Sequence, residues 1–257
     1  MKYPAVMGIL NMTPDSFSDG GSYKDTDAAL KRAFEMVDDG ASIIDVGGES
    51  TRPGWIPVSA EEEISRIVDV IREFTSSSDV PVSVDTMKPE VAAAAADAGA
   101  TVINDVYGLR NEGMIEVVSE TDSYAIIMHM HGGPNELHSV EMSGDAKPQI
   151  REFLNGRAEA AIAGGVKKER IILDPGVGFG KTHELNSELT RSASYFGKEY
   201  PVLIGPSRKR YLEFEYGRRD DDASAEAAAE AVKHGAAIVR VHNVKKTCER
   251  LSASSRK

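Results

Sequence analysis

The sequence predicts an α/β protein built as a single (β/α)8 TIM barrel, with its active site at the C-terminal ends of the strands. Three observations lead to this prediction. Eight short apolar runs alternate with segments of helical periodicity, no linker interrupts them, and the length of 257 residues is that of one barrel. An open doubly wound sheet is the alternative, because periodicity does not report whether a sheet closes. One domain is expected over residues 1–257, with residues 252–257 as a frayed polar tail.

The predicted strands are nearly continuous apolar runs. This composition is typical of parallel strands that are buried on both faces. In chain order they span residues 5–10, 42–46, 81–85, 101–105, 124–130, 170–174, 201–205 and 236–241.

Helical periodicity fills the segments between the strands. Residues 30–37 and 64–71 both carry apolar side chains at the spacing i, i+3, i+4, i+7. Ser59 followed by Glu62 predicts a capping box at the start of the second of these helices. The segments DGASIIDV, AGATVIND and HGAAIVRV each place a glycine between a helix and a strand, where a left-handed residue is favoured. Each therefore indicates one αβ unit.

Composition limits the partners. The chain has 30 basic and 41 acidic side chains, and its net charge of -11 argues against non-specific binding to nucleic acid or to an anionic membrane surface. The lone cysteine, Cys248, cannot form an internal disulfide and is interpreted as a bystander thiol. The first apolar run, residues 5–10, is too short for a signal peptide or a membrane span. We expect a cytoplasmic protein that acts on small molecules.

Polar side chains end or directly follow all eight predicted strands. A single Asp or Asn at such a place is usually a turn or capping residue. Eight strands ending in this way favour a pocket into which polar groups converge from the whole ring. These residues are Asn11, Asp45, Asp85, Asn104, Asp105, His129, Asp174, Ser207, Arg208, Lys209, Arg240 and His242.

The segment LDPGVGFGKT, residues 173–182, resembles two phosphate-binding loops and matches neither. Pro175 stands where a P-loop needs its first glycine, and Lys181 stands where the dinucleotide fingerprint needs its last. We expect Asp174 to point into the pocket while the glycines let the backbone turn beside a ligand. Phe179 is predicted to lie against a flat ring; the alternative is an ordinary turn with a buried phenylalanine.

Cations cluster after the seventh and eighth strands, where barrels often bind phosphate. On an acidic protein this cluster indicates an anionic ligand. Its members are Arg208, Lys209, Arg240 and His242. Arg218 and Arg219 lie beside the acidic residues 220–222 and are expected to form surface salt bridges instead. Residues 11–21 and 47–55 have the composition of mobile loops that cover a site, or of plain surface turns.

Taken together, these segments resemble the dihydropteroate synthase family, the folate-pathway enzymes that sulfonamides inhibit. The resemblance covers essentially the whole chain in the family's order. Its segments are GILNMTPDSFSDGG, IDVGGESTRPG, VSVDT, INDV, MHMHG, LDPGVGFGKT, IGPSRK and VRVHNV. The resemblance implies a (β/α)8 barrel that condenses 6-hydroxymethyl-7,8-dihydropterin pyrophosphate with p-aminobenzoate, releasing pyrophosphate and forming 7,8-dihydropteroate.

The resemblance also implies site residues, carried over by position. Asp85, Asn104, Asp174 and Lys209 would bind the pterin. Asn11, Arg52, Arg240 and His242 would bind pyrophosphate, and Asn11 would also help to hold Mg²⁺. Thr51, Arg52, Pro53, Phe179 and Ser207 would line the p-aminobenzoate site. The residues expected to carry the chemistry are Asp85, Asp174, Lys209, Arg240 and His242.

The family's mechanism is thought to be dissociative, with pyrophosphate leaving before the arylamine attacks a pterin carbocation. A homodimer is also implied. The sequence departs from the family at Asn243, where Asp is usual, and at His131, where Gln is common. His129, His131 and His138 are interpreted as pocket-rim histidines, with a metal site as the alternative.

Two other functions are open at this point. Methyltransferases that pass a methyl group from methyl-tetrahydrofolate to a corrinoid protein share a pterin-binding barrel. Their reaction does not need the cations after the seventh and eighth strands that would bind pyrophosphate. A paralogue that binds pterins without turnover is expected to have lost a loop or an anion ligand. The segments SRK and RVH, together with NMTPDSFSDGG, therefore favour the synthase.

Overall fold

The computed structural model describes residues 4–13, 21–49, 57–133 and 141–254, with side chains of the first helix described from residue 26. Eight strands lie within the predicted runs or extend one residue past them. They are β1 (Ala5–Asn11), β2 (Ile43–Gly47), β3 (Val82–Asp85), β4 (Val102–Asp105), β5 (Tyr124–Met128), β6 (Ile171–Asp174), β7 (Leu203–Ile204) and β8 (Ile238–Val241).

Helices separate the strands. They are α1 (Gly21–Asp38), α2 (Ala60–Ser77), α3 (Pro89–Asp97), α4 (Met114–Glu120), α5 (Lys147–Ala163), α6 (His183–Thr190), α7 (Ala193–Phe196), α8 (Tyr211–Tyr216), α9 (Asp221–Lys233) and α10 (Val244–Ser254). Helix α10 includes residues 252–254 of the segment predicted to fray, and residues 255–257 lie outside the described ranges.

All the strands are parallel, and the sheet closes on itself. From β1 to β6 each strand pairs with the next, β7 pairs with β8, and β8 pairs with β1. The remaining edges, β6 and β7, meet through a parallel bridge between Leu173 and Val202, where the Leu173 amide donates to the Pro201 carbonyl at 2.9 Å. The predicted barrel is therefore confirmed, and the alternative of an open sheet is wrong.

The structure also shows local signals for helix ends. The Ser59 half of the predicted capping box is present, since its hydroxyl accepts from the Glu62 amide at 3.2 Å and caps α2. The Glu62 carboxylate accepts from Arg66 Nε at 3.1 Å. The glycines of the three repeated segments, Gly40, Gly99 and Gly235, have φ values of 105°, 110° and 95°. Only glycine adopts this conformation without strain, so each marks the turn from a helix into the next strand.

Alternation along the strands places the functional groups. The lower interior of the barrel is an apolar cluster that includes Ile43, Val102, Ile172 and Ile238, one from each even-numbered strand. Side chains in a strand return to the same face every second residue, so the next inward positions lie one layer higher. These positions are Asp45, Asn104, Asp174 and Arg240. The same alternation that builds the core therefore builds a polar layer above it.

Candidate active site

A cavity of about 510 Å³ opens at the C-terminal ends of the strands. The site residues that the resemblance implies and the structure describes all line it, namely Asn11, Asp85, Asn104, Asp174, Phe179, Ser207, Lys209, Arg240 and His242. Three other polar residues predicted at strand ends do not line it, because their side chains are buried beside or below it, namely Asp45, Asp105 and His129. Thr51, Arg52 and Pro53 lie outside the described residues, as do His138, residues 14–20 of the first predicted covering loop and residues 50–55 of the second. Predicted polar groups thus reach the cavity from β1, β3, β4, β6, β7 and β8, whereas the expectation that all eight strands contribute is wrong for Asp45 of β2 and His129 after β5.

Arg240 joins the two ends of the predicted site. Its Nε donates to Asp45 Oδ2 at 2.6 Å, and its Nη2 donates to Asp85. The sequence placed Arg240 with the pyrophosphate ligands, but in the structure its guanidinium lies between two carboxylates of the barrel interior. Both strands that carry these carboxylates are remote from Arg240 in sequence, so no local pattern could show the contact.

Asp45 has a role that sequence reasoning missed. It is fully buried, and besides Arg240 it accepts from Asn104 Nδ2 at 3.3 Å. The signal was present, because Asp45 follows the inward-facing Ile43 by two residues. Asp45 therefore orients one predicted pterin ligand, Asn104, and the cation beside another, Asp85.

Burial is the largest influence on the pKa values of the carboxyl groups in the barrel interior. It raises the pKa of Asp174 to about 6, although the Gly176 amide and the cations of Lys181 and Lys209 act against this rise. Burial also raises the pKa of Asp85, and contact with the Arg240 guanidinium opposes it. Buried carboxylates that face a cavity are common at functional sites, because their charge is available to a ligand.

Lys181 stabilises the conformation of the segment LDPGVGFGKT. Its ammonium group is buried and donates to the carbonyls of His129, Gly176 and Phe179 at 3.1, 2.9 and 2.9 Å. Three acceptors use all three of its protons. This lysine therefore stabilises the conformation of its own loop, while it also contributes to the lining of the cavity.

The backbone of the same loop is held at two further points. Asp174 Oδ1 accepts from the Gly176 amide at 2.7 Å, and Asn186 Oδ1 accepts from the Gly178 amide at 2.6 Å. Gly176 has a φ of 73°, and a Cβ there would lie 1.9 Å from the His129 carbonyl oxygen. The predicted glycine turn is confirmed, and it forms a fixed wall of the cavity.

Phe179 is largely buried, as the alternative expected, and contact of its ring with a flat ligand stays a prediction. It packs with Val106, Met128 and Met130 in a small apolar cluster, yet it also lines the cavity. Lys209 Nζ lies 4.1 Å from the centre of its ring, within the range of a cation–π interaction. Burial lowers the pKa of Lys209 to about 8, and Arg240 adds to this effect. Lys209 thus lies between the aromatic wall and the carboxylates.

The groups that follow β7 and β8 contact one another. Ser207 Oγ and His242 Nδ1 lie 3.0 Å apart, and the His242 amide donates to Ser207 Oγ at 3.2 Å. Arg208 also lines the cavity, but its guanidinium forms an ion pair with Asp221. The four predicted cations therefore do not form one free cluster, since Arg208 and Arg240 both have carboxylate partners.

Of the neighbouring residues Arg218 and Arg219, the first pairs with a surface aspartate and the second lines the cavity. Arg218 Nε lies 3.8 Å from Asp220, which matches the predicted surface pairing. Arg219 instead lines the cavity, and its Nε donates to the Arg208 carbonyl at 2.7 Å. The structure thus adds Arg219, a cation that the sequence assigned to the acidic surface.

The histidines of MHMHG do not form a metal centre in the part of the chain that the structure describes, where no group of three His, Cys, Asp or Glu side chains could hold a metal ion. Burial, with Lys181 as the next cause, lowers the pKa of His129 to about 2. His129 is thus a neutral, buried side chain with its ring edge-on to Phe153.

The helices that the structure describes include no candidate for a membrane-spanning segment, since each is too short or too polar.

A family comparison assigns the closed parallel barrel, with carboxylates in its interior and cations at its rim, to a class of protein, the pterin-binding enzymes. The family model described as "Pterin binding enzyme" matches residues 7–242. The chain is 44% identical over 248 residues to the dihydropteroate synthase of Streptococcus pyogenes serotype M18 (strain MGAS8232), covering 94% of this chain and 91% of that one. The chain belongs to the dihydropteroate synthase family.

Solved structures agree with this assignment. The Xanthomonas albilineans dihydropteroate synthase with 4-aminobenzoic acid superposes with a TM-score of 0.91 at 38% identity, covering 99% of this chain and 93% of that one. The same enzyme in complex with 7,8-dihydropteroate superposes with a TM-score of 0.88 at 36% identity, with coverages of 99% and 94%.

Proposed function

We propose that the protein condenses 6-hydroxymethyl-7,8-dihydropterin pyrophosphate with p-aminobenzoate, releasing pyrophosphate and forming 7,8-dihydropteroate. The observation that carries the proposal is that Asp85, Asn104 and Asp174 line one cavity together with Arg240 and His242. Family membership and the arylamine- and product-bound relatives support the same reaction.

The pterin end of the cavity is made by the carboxylates. Ionised Asp85 and Asp174 accept hydrogen bonds, which suits the amino and ring N–H groups of a pterin. Asn104 and Lys209 supply donors for the ring acceptors. Asn104 Nδ2 donates to Asp45, and this contact orients the Asn104 side chain before the ligand binds.

We assign the anionic leaving group to the side of the cavity that His242 lines. Arg240 lines the same cavity and is assigned to the anion as well, since a guanidinium has five N–H donors and those on Nε and Nη2 that contact Asp45 and Asp85 do not use all of them. Asn11 lies in the same cavity and presents a side-chain oxygen, a ligand type that suits a hard cation together with phosphate oxygens. Bound there, Mg²⁺ would neutralise charge that develops on the pyrophosphate. Arg52 would add a further cation.

The reaction proceeds by a dissociative path in this proposal. The bond between the pterin methylene carbon and the pyrophosphate oxygen breaks, and its electron pair leaves with pyrophosphate. Asp85 and Asp174 stabilise the cation that remains, since they place negative charge beside an electron-poor ring. The amine lone pair of p-aminobenzoate then forms the C–N bond, and the nitrogen loses one proton to solvent. Phe179 and Ser207 line the cavity where the arylamine approaches.

A methyl transfer from methyl-tetrahydrofolate would need the same carboxylates but no anion site at the rim. The contact between Ser207 and His242, with Arg219 and Arg240 in the same lining, favours the synthase reaction. Mg²⁺ dependence and homodimerisation remain predictions from the family resemblance, and a cytoplasmic location remains a prediction from composition.

The test is pyrophosphate release with dihydropteroate formation, measured with p-aminobenzoate and Mg²⁺. Asp174→Asn and Arg240→Ala remove a pterin ligand and an anion ligand, and we expect both to lose at least about a hundredfold in kcat/KM, the scale of one transition-state charge interaction. Arg218→Ala is the matched control, because it removes a surface arginine paired with Asp220. Circular dichroism checks that each variant is folded. Tight binding of the pterin substrate without product would contradict the proposed turnover.

A further inference from the structure

Contacts among five side chains join the loops after β7 and β8. We call this set the rim ring; its members are Ser207, Arg208, Asp221, His242 and Asn243. Ser207 and His242 are in direct hydrogen-bond contact on the cavity side. Their neighbours in the chain, Arg208 and Asn243, both contact Asp221 at the start of α9. Each loop therefore has one contact with the other loop and one with a shared carboxylate.

Asp221 is the shared acceptor of the ring. Arg208 Nε donates to its Oδ1 at 2.9 Å and Arg208 Nη2 to its Oδ2 at 3.3 Å, while Asn243 Nδ2 donates to Oδ2 at 3.0 Å. Only a quarter of the Asp221 side chain is exposed, which limits competition from water. The ion pair with Arg208, followed by other contacts that include Asn243, holds the pKa of Asp221 below its usual range.

Asn243 uses both ends of its amide. Its Nδ2 donates to Asp221, and its Oδ1 accepts from the Lys246 amide at 3.1 Å in the first turn of α10. An aspartate could make the second contact but not the first, because a carboxylate has no proton to donate. With aspartate at 243, two carboxylates would face each other at hydrogen-bond distance, which is repulsive.

Arg208 shows why the ring needs an anchor. Its φ of 56° is in the left-handed region, which costs a non-glycine residue free energy. Helix α9 and its approach hold this conformation, since the Arg208 amide donates to Ser224 Oγ at 3.0 Å and its carbonyl accepts from Arg219. The bidentate contact with Asp221 completes this support, so the conformation of the loop that carries Ser207 depends on α9.

We propose that Asp221 and Asn243 act as a pair of positioning residues that hold Ser207 and His242 in the geometry that binds the anionic leaving group. The identity of that anion as pyrophosphate rests on the proposed function. Neither residue of the pair touches the ligand. Their effect is transmitted through Arg208 and through the backbone that joins Asn243 to His242, and the neutral amide of Asn243 keeps a second negative charge away from the anion.

The experiment measures binding of inorganic pyrophosphate with Mg²⁺ by calorimetry, together with kcat and KM for the pterin substrate. The variants are Asn243→Asp, Asp221→Asn and the double variant with both exchanges. Asp222→Asn is the matched control, because it makes the same change one residue further along α9, where the carboxylate pairs with Lys246 at the surface.

We expect Asn243→Asp to weaken pyrophosphate binding about tenfold, the effect of one modest like-charge contact, and to raise KM while kcat changes less than about twofold. The double variant restores a donor facing an acceptor, so we expect it to recover most of the lost affinity. Asp222→Asn should bind as the unchanged protein does. A general loss of structure would lower kcat as well and would not be rescued by the second exchange.

Two results would overturn the proposal. One is unchanged pyrophosphate affinity in both single variants, and the other is a double variant whose loss equals the sum of the single losses. Calorimetry needs no turnover, so this test is independent of the arylamine acceptor. If the unchanged protein binds pyrophosphate but forms no dihydropteroate, the proposed function fails while the role of the rim ring is still measured.

Discussion

At the scale of single residues, one guanidinium compensates two buried carboxylates. Arg240 contacts both Asp45 and Asp85, and Asp45 is completely buried. Leaving a buried charge without a partner costs more free energy than the intact ion pair contributes. Removing Arg240 is therefore expected to destabilise the fold. The same residue faces the cavity, which means that its contribution to the fold and its contribution to ligand binding are linked.

This linkage predicts the result of a double-mutant cycle. Arg240→Gln leaves the Asp45 carboxylate without its cation, and we expect it to lower the free energy of unfolding by about 3–5 kcal/mol. Adding Asp45→Asn removes the uncompensated charge, so the double variant should be more stable than Arg240→Gln alone. Urea denaturation of the two single variants and the double variant measures both effects. Strictly additive losses would show that the two side chains do not interact energetically.

At the scale of elements, the loop between β6 and α6 is shaped by contacts that leave it almost no freedom. Lys181 ties three carbonyls together, and Asn186 and Asp174 hold two amides. Gly176 packs directly against the chain segment after β5, at the His129 carbonyl. The loop is therefore a preformed wall for a ligand, which lowers the ordering cost of binding.

Glycine substitutions test this rigidity. Gly176→Ala adds a methyl group at a φ of 73° and 1.9 Å from a backbone oxygen, so we expect a loss of at least about 2 kcal/mol of stability and a higher KM for the substrates. Gly156→Ala is the control, because this glycine lies within α5 with no atom within 4 Å of the added Cβ. That change should stabilise the protein by about 0.5–1 kcal/mol. Equal melting temperatures for the two variants would mean that the loop relaxes freely.

At the scale of the whole molecule, the barrel is not uniform around its circumference. Strands β1 and β2 pair along five positions, whereas β7 has two residues and meets β6 through a single bridge. The seam lies between β6, which carries Asp174, and the strand that leads to Ser207 and Lys209. The weakest part of the ring thus borders the cavity.

Native-state hydrogen exchange can detect this seam. The Leu173 amide donates to the Pro201 carbonyl across it, and the Ile44 amide donates to the Pro81 carbonyl within the continuous part of the sheet. Both residues are fully buried. We expect the Leu173 amide to be at least about tenfold less protected, because local opening of the seam breaks fewer contacts. Equal protection would show that the barrel opens only as one unit.

Local patterns in the sequence predict the order of strands and helices, the turns marked by Gly40, Gly99 and Gly235, and part of the set of side chains that line the cavity. Periodicity and glycine placement are local properties, and strand alternation places Asp174 or Arg240 two residues beyond an apolar inward neighbour. No local pattern shows which of these groups meet, because their contacts form between distant parts of the chain. Arg240 and Asp45 are 195 positions apart, and Arg240 and Asp85 are 155 apart, so only closure of the barrel makes them partners. The positions of Arg219, Lys181 and the rim ring follow from the same cause, since packing between loops leaves no period in the sequence.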